Sequence, residues 1–217
     1  ARRINCKKDL NRIYRFIGNA YYYMGEYDKS LASHLESLDI AQELNFEPGI
    51  ASAYNNIGLI HMQAGNYEVA LENYQKAEKL FAKYSNSLDQ GLALLNIGNI
   101  YYFRKDFITA KGYYEKALDI FSGLNDSSNI ALASQNLSVI YEELQDYENA
   151  LKYAQRAYHL YLESNNTWGL ANITKNIAYF FIARDDISEA EFFAQKCLQY
   201  SEQTNSLHLL GNAYNLG

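Results

Sequence analysis

The chain has 217 residues, 48% of them hydrophobic and 20% charged, which is enough to bury a large core and unlike a disordered tail. Its formal net charge of -6 comes from 19 basic and 25 acidic residues, with no cationic cluster beyond Arg2-Arg3 and Lys7-Lys8, so nothing in it favours nucleic acid or anionic lipid. No apolar run approaches the roughly 18 residues of a membrane span. The two cysteines, Cys6 and Cys197, lie near opposite ends and offer neither a disulfide framework nor paired metal ligands.

One Pro and 12 Gly stand against 21 Tyr, a balance of few helix breakers and many large rings that need flat packing surfaces. In chain order the same phrase returns at a step of 40: Phe16-Ile17-Gly18, Asn56-Ile57-Gly58, Asn96-Ile97-Gly98, Asn136-Leu137-Ser138 and Asn176-Ile177-Ala178. The turn signals keep that step, at Gly25-Glu26-Tyr27, Gly65-Asn66-Tyr67, Lys105-Asp106-Phe107, Gln145-Asp146-Tyr147 and Asp185-Asp186-Ile187. Small residues keep it too, in one column of Ser30, Ala70, Ala110, Ala150 and Ala190 and another of Ser37, Ala77, Ala117, Ala157 and Cys197.

A fixed period of this size marks stacked supersecondary units, each too small to bury its own apolar face. The units fall at about 9-48, 49-88, 89-128, 129-168 and 169-208, with a partial sixth over 209-217 carrying Leu210, Gly211, Ala213 and Tyr214 in register. Each reads as two helical runs around a Gly/Asn/Asp turn, with short polar links such as Asn45-Phe46-Glu47-Pro48 between units. Asn66, Asp106, Asp146 and Asp186 are expected to cap each second helix. The expectation is an all-α protein of five repeats plus a partial sixth, forming one elongated domain over 1-217. The chain begins without Met and stops inside an apparent repeat, so it is expected to be a piece of a longer protein.

The order of these residues resembles the tetratricopeptide repeat family. A large residue (Tyr14, Tyr54, Leu94) precedes the apolar-small pair (Ile57-Gly58), then Tyr21, His61, Tyr101, Tyr141 or Phe181 follows, then the small residues of the second helix. The resemblance covers about 205 of the 217 residues. The family's usual closing Pro is missing, Ser134 and Thr174 replace the first large residue, and the period exceeds the usual length of about 34. In these respects the unit is similar to the long repeats of kinesin light chain, LGN-type scaffolds and bacterial Rap-type regulators. The resemblance implies a right-handed superhelical solenoid of antiparallel helix pairs that binds proteins. The extra length is expected to prolong the second helix by about 9 Å at 1.5 Å per residue.

On a helical wheel with Tyr54 at zero, Ile57, Gly58 and His61 fall within about 60°, and Ser52, Asn55, Asn56, Leu59, Met62 and Gln63 centre near about 145°. The first face holds the small residue that admits the partner helix. The second is expected to line the inner surface of the solenoid. Its equivalents are Arg12, Arg15, Phe16, Asn19, Tyr22 and Tyr23 in the first repeat, then Leu92, Leu95, Asn96, Asn99, Tyr102 and Phe103 in the third. Leu132, Gln135, Asn136, Val139, Glu142 and Glu143 follow, and then Asn172, Lys175, Asn176, Tyr179 and Ile182.

Within this face Asn56, Asn96, Asn136 and Asn176 hold one residue type at one position in four consecutive units. An amide donates and accepts, matching the N-H and C=O of an extended peptide backbone of any sequence. Asn19, Asn99, Tyr22, Met62, Tyr102, Phe103, Arg15 and Lys175 complete the candidate peptide-binding surface. Two other readings stay open: each Asn could bridge neighbouring helices, and Leu59, Asn99, Val139 and Tyr179 could pack one first helix on the next. Basic groups are too scattered for a clamp on a C-terminal carboxylate.

His34, His61, His159 and His208 occur singly and read as packing residues; no metal-ligand, nucleophile-elbow or phosphate-loop pattern is present. Glu142-Glu143 lies beside a turn and needs no catalytic role. No enzyme activity, cofactor, metal, nucleic-acid contact or membrane contact is therefore expected of this segment. The expected function is a protein- or peptide-binding scaffold in the cytoplasm, with a homodimer through apolar solenoid ends as a further option. The alternative is a sensory or oligomerising arm of a bacterial signalling protein such as a histidine kinase, nucleotide cyclase or transcriptional regulator.

Overall fold

A computed structural model describes residues 2-204; His208 and the partial sixth repeat with Leu210, Gly211, Ala213 and Tyr214 lie outside the described residues. The described residues form ten helices and no strand. The chain divides into two compact units, residues 1-106 and 107-217. The first contains α1 (Arg2–Tyr23), α2 (Tyr27–Glu43), α3 (Glu47–Gln63), α4 (Tyr67–Lys83) and α5 (Ser87–Phe103). The second contains α6 (Phe107–Gly123), α7 (Ser127–Glu143), α8 (Tyr147–Glu163), α9 (Thr167–Ala183) and α10 (Ile187–Gln203). No described helix is long and apolar enough to cross a membrane.

From α2 to α10 every helix has 17 residues, so the second helix of a repeat is not the longer one and the extra length is not confined to it. The reason is that turn and link are the same structure. A residue with φ between 48° and 77° stands every 20 residues, at Gly25, Asn45, Gly65, Ser85, Lys105, Asn125, Gln145, Asn165 and Asp185. Around Gly65 the Gly65 N-H donates to Met62 O (3.1 Å) and the Asn66 N-H to His61 O (2.9 Å), while around Asn45 the equivalent bonds reach Gln42 and Ala41. These paired bonds satisfy carbonyls that a helix end leaves open and stop each helix after the same number of turns.

The caps differ from expectation. Asp146 accepts from the Asn149 N-H at 3.2 Å, but Asn66 and Asp186 stand at the cap position without a side-chain bond to the helix's first amides. Caps also form on first helices, where Asn86, Asp126 and Asn166 accept from Asp89, Asn129 and Gly169. With the same three-residue connection at both ends, either helix of a pair can be capped by a short polar side chain.

Consecutive helices pack on each other within each unit. Contacts between α1 and α2 climb one helix while descending the other: Gly18 O accepts from Ser30 Oγ (2.8 Å), Asn11 Nδ2 donates to Ser37 Oγ (2.9 Å), and Lys7 pairs with Glu43. The pair is therefore antiparallel. Glu47 and Lys83 make the same bridge in α3 and α4 with the charges exchanged, at 2.7 Å. Both small-residue columns are buried, from Ser30 and Ala70 at 0% exposure to Ala190 at 5% and from Ala77 at 0% to Cys197 at 1%. They let backbones approach, and Leu38, Ile57, Phe81, Tyr161, Ile173 and Ile177 fill the space between.

Candidate functional site

In the first unit, the faces of α1 and α3 meet the side of α2 around a cavity of about 120 Å³ lined by Asn19, Tyr22, Tyr23, His34, Asn56 and Leu59. Asn56 Nδ2 donates to Asn19 Oδ1 at 3.4 Å and lies 3.5 Å from His34 Nδ1. His34 is 1% exposed, and burial, with a smaller contribution from Arg15, pulls its pKa down to about 4. The ring is neutral at pH 7 and can accept from the amide. Asn56 therefore does bridge helices.

The other members of the Asn column differ. Asn96, Asn136 and Asn176 are half-buried like Asn56, and among the described residues their side-chain amides make no hydrogen bond within the chain. Asn99, Tyr102 and Leu59 are half-buried in the first unit; Val139 is half-buried in the second, where Tyr179 is 42% exposed. Successive first helices come close at few points, so this column is incompletely covered by helix packing.

Around these amides Met62 Sδ accepts a weak contact from Tyr74 OH at 4.0 Å. Tyr22 meets Tyr27 edge to face at 5.7 Å, and its phenol is raised in pKa chiefly by burial. Phe103 is 54% exposed, stacked on Tyr67 at 5.7 Å and edge to face with Tyr102. Arg15 lies over the Phe16 ring at 5.8 Å. Arg15 and Lys175 share a repeat position with Asn55, Leu95 and Gln135. That position leans toward the second helix: Leu95 is only 3% exposed, and Gln135 Oε1 accepts from Tyr161 OH at 3.0 Å. Leu95 is thus core rather than groove.

Of the described histidines, His34 is buried and His61 half-buried, while His159 is exposed and does not pack as expected. Cys6 is exposed and Cys197 buried.

One position that sequence reasoning passed over organises the floor of this surface. Tyr74 of α4 is fully buried, and a Cβ on Gly58 of α3 would stand 3.0 Å from its ring. His34 occupies the same repeat position in α2 against Gly18, and Ala154 occupies it in α8, where Ser138 holds the repeat position of Gly18 and Gly58. Tyr74 and Tyr114 fill the position with a buried ring. Where His34 or Ala154 stands there, a cavity opens. The signal was present as a column of varying size (His34, Tyr74, Tyr114, Ala154, Ala194) that runs inversely to Gly18, Gly58, Gly98, Ser138 and Ala178.

The fold has many relatives among solved structures. The chain is similar to BtubC (BKLC) from P. vanneervenii, with 20% identity, a TM-score of 0.76, and 95% of this chain and 92% of that one covered. It is similar to a signal transduction ATPase with numerous domains (STAND) that has a tetratricopeptide repeat sensor, from Pyrococcus horikoshii, at 21% identity and a TM-score of 0.81, covering 95% of this chain and 32% of that one. A Rap protein complexed with competence and sporulation factor matches at 13% identity and a TM-score of 0.77, over 95% of this chain and 63% of that one. No curated protein matches the chain. The family model for the tetratricopeptide repeat matches residues 9–83, 49–123 and 89–163, and with its 40-residue helix pairs the chain belongs to that family.

Proposed function

We propose that the chain is a protein-binding scaffold that holds extended segments of its partner on first-helix faces, at Asn56 and Asn96 in the first unit and at Asn136 and Asn176 in the second. The observation that carries this reading is the half-buried amide at one repeat position, Asn96 in the first unit and Asn136 and Asn176 in the second, without hydrogen bonds inside the chain among the described residues. Polar groups placed in a partly dry surface favour partners that can satisfy them. Asn19, Asn99, Tyr22, Met62, Tyr102 and Phe103 supply the flanking contacts in the first unit, and Lys175 in the second; Arg15 acts on the same face through Phe16. The similar Rap protein, solved with its factor bound, supports the view that this fold holds a second molecule.

Peptides selected from a random display library on the chain provide the test. Asn96→Ala and Asn136→Ala are each expected to weaken the selected peptides roughly fivefold, about 1 kcal/mol per net hydrogen bond. Unchanged affinity with an intact helical circular dichroism spectrum would overturn the reading. A second reading, a sensory arm of a signalling protein, is supported by the likeness to the tetratricopeptide repeat sensor of the archaeal STAND protein. An output domain encoded in the same open reading frame would favour it.

A further inference from the structure

We propose that the opening beside Ala154 in the second unit is an anchor site for a primary ammonium, the side chain of a partner lysine; this rests on the scaffold reading above and names the chemistry of the partner. The opening is lined by Ser138, Glu142, Ala150, Leu151, Ala154, Asn176 and Phe180. It exists because Ala154 stands where Tyr74 fills the equivalent space of the first unit. Its interior measures about 10 Å³, the room one water-sized group needs. An ammonium head has that size and a planar guanidinium does not.

Charge points the same way. Glu142 is half-buried on α7 and makes no ion pair among the described residues. Burial and the neighbouring Glu143 push its carboxyl above its ordinary value, a shift that a cation seated in the opening would oppose. On the next repeat Arg184 lies over the Phe180 ring at 5.5 Å, and Lys175 makes no ion pair with Glu142. Asn176, whose amide has no partner within the described chain, adds an acceptor at the mouth. Leu151, Ala150 and Phe180 form an apolar wall suited to the methylenes of a lysine stem. An ammonium with three donors can meet Glu142 and Asn176 together.

The test is NMR of the full chain titrated with n-butylammonium chloride, with n-butylguanidinium and sodium butyrate at equal ionic strength as controls. Saturable shifts of the Ala150 and Ala154 methyls are expected with butylammonium alone, and Glu142→Gln is expected to weaken them about tenfold. A pocket filled as in the first unit needs two changes, because a ring at 154 would collide with the Ser138 side chain. The double variant Ser138→Gly, Ala154→Tyr is expected to abolish the Ala150 methyl shift while keeping the fold. The proposal is overturned by the absence of saturable shifts, by equal shifts with butyrate or butylguanidinium, or by shifts that persist in the filled variant. If butylammonium fails while Asn136→Ala still weakens selected peptides, the anchor falls and the scaffold stands. If butylammonium binds and the Asn variants change nothing, the groove reading falls.

Discussion

A Cβ on Gly58 would stand 3.0 Å from Cδ1 and Cε1 of Tyr74, a ring with 0% exposure. Helix propensity favours Ala over Gly by about 1 kcal/mol, but here a fully buried ring must give way to the added methyl, and overpacking costs about 1–3 kcal/mol. Gly58→Ala is therefore expected to lower stability by about 1 kcal/mol net. Gly112 in α6 provides the control, since nothing lies within 4 Å of its added Cβ. Gly112→Ala is expected to raise stability by up to about 1 kcal/mol. Urea denaturation of both variants decides it; a stabilising Gly58→Ala would show that Tyr74 yields easily.

His34 gives the chain a pH-dependent stability of defined sign. Its pKa falls from 6.5 in the unfolded chain to about 4 in the folded one, through burial first and Arg15 second. Between those values the unfolded chain binds a proton that the folded chain refuses. Stability is complete above about pH 6.5 and falls as the pH drops toward 4, by at most about 1.4 kcal/mol per pH unit. His34→Tyr installs the ring found at Tyr74 and removes the group that titrates in the acid range. Urea midpoints of the two proteins, compared at pH 7.5 and 4.5, are expected to diverge at the lower pH, with the wild type losing more. Parallel losses would assign the acid sensitivity to other groups.

The 40-residue period made the helix pairs legible, since both small-residue columns and the Gly58 face recur on it without a gap. The 20-residue backbone period was only partly legible: Gly25, Gly65, Asn45, Asn125, Asn165 and Asp185 are of types that adopt a positive φ readily, but Ser85, Lys105 and Gln145 are not. At Ser85, Lys105 and Gln145 the paired carbonyl bonds impose it on side chains that do not prefer it. For the site, the Asn column could be read directly. What one sequence position could not disclose was which amides find partners: Asn56 meets Asn19 and His34 because His34 is shorter than Tyr74 and leaves the space between them. Ala154 was invisible for the same reason. A small residue announces nothing until the ring it replaces is seen in another repeat.

Gln145, with φ 60°, measures the strain of that connection. A left-handed conformation costs a non-glycine residue roughly 1–2 kcal/mol, and glycine carries no such cost but loses more chain entropy on folding. Gln145→Gly is expected to stabilise by about 0.5–1 kcal/mol, and Gly65→Ala, at φ 75°, to destabilise by a similar amount. Thermal unfolding is the readout. A destabilising Gln145→Gly would mean that the Gln145 side chain makes contacts worth more than the strain.

The two thiols are expected to report on different events. Cys6 is exposed, and alkylation there needs no opening of the fold. Cys197 is 1% exposed, its Sγ donates to Ala171 O at 3.3 Å, and burial raises its pKa, with Ser201, Thr174 and Lys175 acting in the opposite direction. Reaction requires a thiolate and a path for the reagent, and neither is present until α10 leaves α9. With iodoacetamide at pH 8, mass spectrometry is expected to find Cys6 modified first and Cys197 only as fast as that end of the second unit opens, with urea accelerating Cys197 alone. Equal rates for the two in the absence of denaturant would place α10 in rapid exchange with solvent and remove Cys197 from the packed core.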